Sequence, residues 1–299
     1  MRAAITGGLA LLFIGAGPAA AQDGSGFAPA SPAAARPGSP SNATSTVSPS
    51  TVPQNMDRLA DTPGAFTVSL GALHARGDFG TDSNTSITSA ALAARYQTGG
   101  FRLTASLPWM RIRSDATVFT GIDSTPVLVA PGSRATRRTN DGFGDLTLGA
   151  AYALPSAASG TEVEFSGRVK LDTATRASGL SSGKKDYAVG VQVTQPAGRF
   201  APFASATYRF LGDTPTLKLR NGFAASAGAS YMLGGRTYLL ASYHYSRAAT
   251  RLVADAHELF AGASAEVPNT RFRVTGFATA GLSRGAAAAS GGLALSRSF

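Results

Sequence analysis

Cysteine is missing from all 299 residues. Its absence excludes a disulfide framework, a thiolate nucleophile and a lipid-modified cysteine anchor. Charge is scarce as well. Asp, Glu, Lys and Arg make up 15% of the chain, against the roughly 25% of ordinary soluble domains. Only three histidines occur, His74, His244 and His257, too far apart in sequence to suggest a metal cluster. Acidic residues are outnumbered, and the net charge is +10. The surplus Lys and Arg are scattered through strands and loops instead of gathered on a helix or a known motif, which argues against nucleic acid as a partner. Past the N-terminal segment no uninterrupted apolar run approaches the ~20 residues of a membrane helix. If the mature chain is integral to a membrane it must therefore be a closed barrel, because only helices and barrels satisfy their backbone groups in hydrocarbon.

What is present falls into three parts. Residues 1–21 read as a signal peptide: Arg2 is the positive start, residues 9–15 (LALLFIG) lie in the apolar stretch, and Ala19-Ala20-Ala21 precede Gln22 as a small-residue cleavage site. Residues 22–62 are rich in Pro, Ser and Ala and carry little large apolar surface. They predict a disordered periplasmic leader, since nothing there offsets the entropy of ordering. Residues 63–299 predict an outer-membrane β-barrel.

The clearest strand of that third part is EVEFSGRVKLD, residues 162–172. Val163, Phe165, Val169 and Leu171 share one parity; Glu164, Arg168, Lys170 and Asp172 share the other. Successive side chains of a strand point to opposite faces, so one face is apolar and the other charged. About twelve such runs follow one another: 65–76, 85–97, 101–113, 143–154, 162–172, 186–196, 201–211, 222–233, 236–247, 257–267, 271–283 and 287–299. Connections alternate between short turns and longer polar loops, as in outer-membrane barrels. Aromatics gather at both ends: Tyr96, Phe101, Tyr152, Tyr231, Phe272 and Phe299 near the short turns, and Trp109, Tyr187, Tyr208, Phe210, Tyr243 and Tyr245 near the long loops. These would be the two interfacial girdles. The predicted fold is all-β, a transmembrane antiparallel up-and-down barrel of about 12 strands in a bacterial outer membrane.

Four segments resemble the outer-membrane transporter family associated with meta-pathway phenol degradation. They are LPWMRIR (107–113), DGFGDLTLGAAYAL (141–154), APFASATYRFLGD (201–213) and DAHELFAGAS (255–264). The resemblance implies a barrel over roughly residues 65–299 with a transport role. The C-terminal Phe299, on an amphipathic last strand, looks like the signal read by the outer-membrane assembly machinery. Arg297 shares its face, where an apolar residue is expected.

The parity predicts which residues face inward. Arg95, Arg102, Asp145, Glu164, Arg168, Lys170, Arg209 and Arg273 are the expected lumen-lining charges, joined by Asp172 and Glu258. Small inward residues such as Ser69, Ser89, Ala91, Gly149, Gly228 and Ser264 predict room for water between them. In and beside the loop at 114–142, Arg111, Arg113, Arg134, Arg137 and Arg138 form a basic cluster. Folded inward it would favour anions; left outside it would meet lipid phosphates or stay a solvated loop. His244 and Ser246 form an H-x-S arrangement like that of outer-membrane phospholipase A, but Arg247 and Ala248 replace the Asn and Gly that follow there, and no orienting third group is evident. The expected function is passive passage of small polar or anionic solutes through an outer-membrane channel, not enzymatic, with no metal and no cofactor. The alternative is a closed structural or adhesive barrel presenting its loops. Expected partners are outer-membrane lipid, the assembly machinery and small solutes.

Overall fold

A computed structural model of the chain describes residues 66–79, 84–115, 117–122, 126–130, 138–154, 160–175, 179–213, 218–234 and 236–299. The signal peptide and leader predicted for residues 1–62 lie outside the described residues. Fifteen strands follow in chain order: β1 (Phe66–Gly77), β2 (Thr85–Thr98), β3 (Phe101–Ser114), β4 (Thr117–Thr120), β5 (Pro126–Ala130), β6 (Arg138–Phe143), β7 (Thr147–Ala153), β8 (Glu162–Lys170), β9 (Asp186–Thr194), β10 (Phe200–Phe210), β11 (Gly222–Gly234), β12 (Thr237–Ser246), β13 (Ala256–Glu266), β14 (Phe272–Gly281) and β15 (Ala289–Ser298). Every neighbouring pair is antiparallel. The ladder runs β3-β2-β1-β15 and on down to β7, which returns to β3, so the sheet closes as a barrel of twelve staves. Closure leaves no sheet edge around the ring, the only way a sheet can stand in hydrocarbon.

The alternation decides which face meets lipid. Leu70, Leu92, Leu103, Phe165, Val189 and Leu293 point outward on different staves, each more than half exposed. A water-soluble protein does not present so continuous an apolar belt. At the short-turn end the belt is edged by Phe66, Phe101, Tyr152 and Phe299, with Phe101 on Tyr152 at 4.5 Å and Phe66 beside Phe299 at 6.3 Å. Arg297 lies over the rings of Phe272 and Phe299. This cation–π contact gives a charged residue a place on the lipid-facing side, close to the rim.

One stave is interrupted. β6 pairs with the upper half of β3 and β7 with the lower half. Between them Gly144, Asp145 and Leu146 stand opposite Leu107 and Pro108. Pro108 has no N–H to give the ladder, and the partner strand bulges there, with the Gly144 N–H donating to the Pro108 carbonyl at 2.9 Å. The additional residue reverses the side-chain parity. Counted from the outward Phe143, Asp145 would face lipid; the bulge turns it into the barrel. Residues 114–142, expected from their polarity to be one loop, instead hold the β4–β5 hairpin and the β6 extension of the wall, because TVFT and PVLVA are rich in residues that favour strands.

The interior is built on close approaches. Gly292 of β15 faces inward beneath the Phe277 ring; an added Cβ would stand 2.5 Å from the Ala72 carbonyl oxygen and 2.6 Å from that ring. Backbone cannot yield as a flexible side chain can. Gly292→Ala should therefore destabilise the folded barrel by about 1–3 kcal/mol. Denaturant titration of the refolded protein in lipid vesicles would measure it; an unshifted midpoint would mean that the stave moves freely.

Candidate functional site

The interior of the barrel is the candidate site, and it divides by height. At the long-loop end it is apolar and closed. Leu73 and Ala75 of β1, Ile87 of β2, and Met110 and Ile112 of β3 point inward. Phe79, Leu180 and Val253, from the connections, pack among them. Met110 and Leu180 are fully buried. Halfway down, Phe203, Leu240 and Phe260 form a second apolar group, with Phe277 bridging to the first. The Phe260 and Phe277 rings stack at 5.6 Å, and His244 meets Phe260 edge-on at 6.0 Å. Large inward apolar side chains were not anticipated from the sequence. The small residues expected to leave water-filled space serve partly as floors for them: the Phe260 ring covers Gly262 and the Phe277 ring covers Gly292. Ser89, Ala91, Ser230 and Ser264 are buried.

The opposite wall, on β2, β3, β7 and β8, is polar. Arg102 and Glu164 meet at 2.6 Å with both side chains buried. They belong to β3 and β8 and reach each other over β7, where the inward Ala151 is small enough to lie beneath them. The Arg168 stem lies across Gly149, whose Cβ would come within 3.2 Å of it. Arg95 faces inward on β2 and is half-buried. On the far side Arg273 holds Glu266 at 2.6 Å and stands over the Tyr238 ring, and Arg209 donates to the Ser246 hydroxyl at 2.7 Å. Glu258 is buried beside this wall, and its Oε1 has no hydrogen-bond partner among the described residues. Below Phe203 a cavity of about 150 Å³ opens towards the short-turn end, bounded by Glu162, Gln192, Arg199, Ser230, Met232 and Tyr238.

Lys170 and Asp145 occupy a different role from the other charges. The Lys170 ammonium lies 3.0 Å from Asp145 and 3.1 Å from Asp186, with all three side chains buried, and its third donor goes to Ser182. Asp145 also accepts from the backbone N–H groups of Thr173 and Ala174 and from the Ser181 hydroxyl. Asp186 accepts from the Gly212 N–H. One ammonium thus ties two long-loop connections to the wall, and the first of them carries Leu180 into the apolar plug. Burial of three charges is tolerable because all three ammonium donors are used and each carboxylate has further N–H or hydroxyl donors besides the ammonium.

Of the basic cluster read from the sequence, Arg111 and Arg113 lie on the outward parity of β3 with Leu107 and Trp109, and Arg138 is exposed at the start of β6. Arg134 and Arg137 lie outside the described residues. His244 and Ser246 are not joined to each other: His244 Nε2 bonds the Ser242 hydroxyl at 2.8 Å, while Ser246 takes the Arg209 guanidinium. Among the described residues no group of three or more His, Asp or Glu side chains is placed to hold a metal ion.

A family model described as "Putative MetA-pathway of phenol degradation" matches residues 56–275. No curated protein matches the chain significantly. Among solved structures, an outer-membrane channel of Pseudomonas putida F1 is similar with a TM-score of 0.62 and 13% identity, over 80% of this chain and 97% of that one. A KdgM porin (TM-score 0.47, 8% identity, 77% and 99% covered) and the toluene transporter TodX of Pseudomonas putida (0.42, 11%, 87% and 96%) are more distant. The first of these similarities establishes the fold as that of an outer-membrane barrel.

Proposed function

The chain belongs to this phenol-degradation family, and from that premise we propose that it is an outer-membrane channel for small solutes with a polar or anionic head on a one-ring apolar body. The observation that carries the reading is the two-sided interior. Phe203, Phe260 and Phe277 offer ring faces on one side, with Leu240 among them; Arg95, Arg102, Arg168 and their partners offer charge on the other. A solute with only a polar head would leave the rings wetted, and one with only an apolar body would leave the arginines facing hydrocarbon. The cavity of about 150 Å³ below Phe203 is of the size that holds a single benzene-like ring. Aromatic faces and a few fixed polar groups are the usual means of admitting such a molecule while turning away sugars of similar mass.

In this reading the described conformation is the closed one, since Met110 and Leu180 seal the long-loop half. Opening requires the connection that carries Leu180 to leave the mouth. Arg95, Arg102 and Arg168 on one wall, with Arg209 and Arg273 on the far one, favour anions electrostatically.

Proteoliposomes test this directly. Benzoate should enter faster than a neutral hexose, and Arg168→Glu should slow benzoate and shift the reversal potential of a planar-bilayer recording towards cations. Equal rates for both solutes, or unaltered selectivity in Arg168→Glu, would count against the assignment. A folded barrel without flux for either solute under applied voltage would favour the loop-presenting structural barrel, the reading towards which the packed upper half points.

A further inference from the structure

The outside of the barrel carries a feature that passage through the inside does not use. On β1, β2 and β3 the outward side chains form level rows set by the ladder register. Leu70, Leu92 and Leu107 make one row in the apolar belt, and Ala72, Ala90 and Trp109 make the next. Above them stand His74, Thr88 and Arg111, and then Arg76, Ser86 and Arg113. The composition changes from apolar to basic within two rows. Those rows lie about 7 Å apart along the strands, and Arg76 and Arg113 stand about 10 Å apart across β2. Trp109 marks the level at which hydrocarbon gives way to headgroups.

The rows are also organised internally. His74 Nδ1 and the Thr88 hydroxyl are bonded at 3.0 Å, and Arg76 donates to the Asn84 amide. The Arg111 guanidinium lies over the Trp109 ring at 5.5 Å. Its nearest acid, Asp141 of β6, is 3.9 Å away, and both side chains of that pair are nearly half exposed. Three guanidinium groups alternate with two hydroxyls on a surface continuous with the lipid-facing belt.

We propose that this patch binds the phosphates of an outer-leaflet glycolipid. Guanidinium groups bind phosphate through paired charge-assisted hydrogen bonds, and hydroxyls supply further donors. The apolar rows directly below would take the acyl chains of the same molecule. A soluble anion has no use for those rows, which is why the lipid is preferred over free phosphate. The patch lies at the long-loop end, the outer side in barrels of this kind.

Trp109 is the single tryptophan of the chain, and it sits at the edge of the patch as a built-in reporter. The refolded barrel in neutral detergent would be titrated with bisphosphorylated lipid A, with the dephosphorylated lipid and with inorganic phosphate, following Trp109 emission. The double variant Arg76→Gln/Arg113→Gln leaves the Arg111–Trp109 contact in place. Heat-modifiable migration on gels would confirm that it folds. Arg251→Gln, in the connection after β12, is the charge-matched control for Arg76→Gln alone. Expected are saturable binding of the phosphorylated lipid, weakening by about tenfold or more in the double variant and a steep loss with added salt. Equal binding of the dephosphorylated lipid would reduce the patch to apolar packing and overturn the proposal. So would equal binding of inorganic phosphate, which would make it a small-anion site, or an affinity unchanged in the double variant. If the double variant does not fold, Arg76→Gln alone with the salt dependence decides by the same criteria.

Discussion

Lys170→Ala should cost the barrel about 3–5 kcal/mol, the usual penalty for removing one partner of a buried ion pair. The variant leaves Asp145 and Asp186 facing each other without the cation between them. It also releases what they hold: the Thr173 and Ala174 backbone, Ser181, and Gly212 in the next connection. The protein should unfold in vesicles at distinctly lower denaturant than the wild type. The triple variant Asp145→Asn/Lys170→Met/Asp186→Asn removes all three charges together and should recover most of the loss, because no charge is then left buried alone. If Lys170→Ala unfolds at the wild-type midpoint, the three groups do not act as a unit. If the triple variant is as unstable as the single one, shape rather than charge is what the ammonium supplies.

The second large effect is on conduction. Met110→Ser/Leu180→Ser should turn a barrel that is mostly silent in a planar bilayer into one with frequent openings and a several-fold larger mean current. Both side chains are fully buried where the long-loop half is sealed, and an apolar constriction blocks ions by excluding water even where its radius would admit them. Hydroxyls at the same two positions would let water enter. Burying each original side chain contributes roughly 1.5–3 kcal/mol, so the variant will also be less stable, and its folded state must be checked by gel migration before recording. A folded double variant with wild-type current would place the barrier elsewhere, and the stacked Phe260 and Phe277 would then be the next pair to cut.

Much of this architecture was legible in the alternation. On the charged parity of residues 162–172, Glu164 and Lys170 are buried inside the barrel, but Asp172 lies beyond the end of β8 and is exposed; the outward Leu and Phe residues form the belt. Turn chemistry gave the ends of most staves. Three things were not legible, each for a physical reason. Alternation assigns a face but not a height, so nothing in the sequence said that Leu73, Ile87, Met110 and Leu180, drawn from four separate segments, would meet at one level. A proline in mid-strand signals a defect, but only the paired strand shows where the compensating residue goes: unbroken parity over residues 143–154 puts Phe143 inside with Asp145, and the bulge turns Phe143 out. Arg111 and Arg113 are grouped with the loop arginines in the sequence analysis although the run 101–113 holds both, and their odd positions beside Leu107 and Trp109 place them on the outer face.

The seam between β1 and β15 has a consequence for timing. Residue 67 pairs with residue 298, 231 positions further along the chain, so the ring cannot shut until its final ten residues have arrived. Until then β1 and β14 are two open edges, each able to recruit a strand from another chain. A topology with such high contact order closes slowly, and the two edges stay open for as long as closure takes. Phe299 donates its backbone N–H to the Phe66 carbonyl and so fastens the last residue of the chain to the first of the barrel. A mutation there should show itself as delayed maturation before it shows as lost stability.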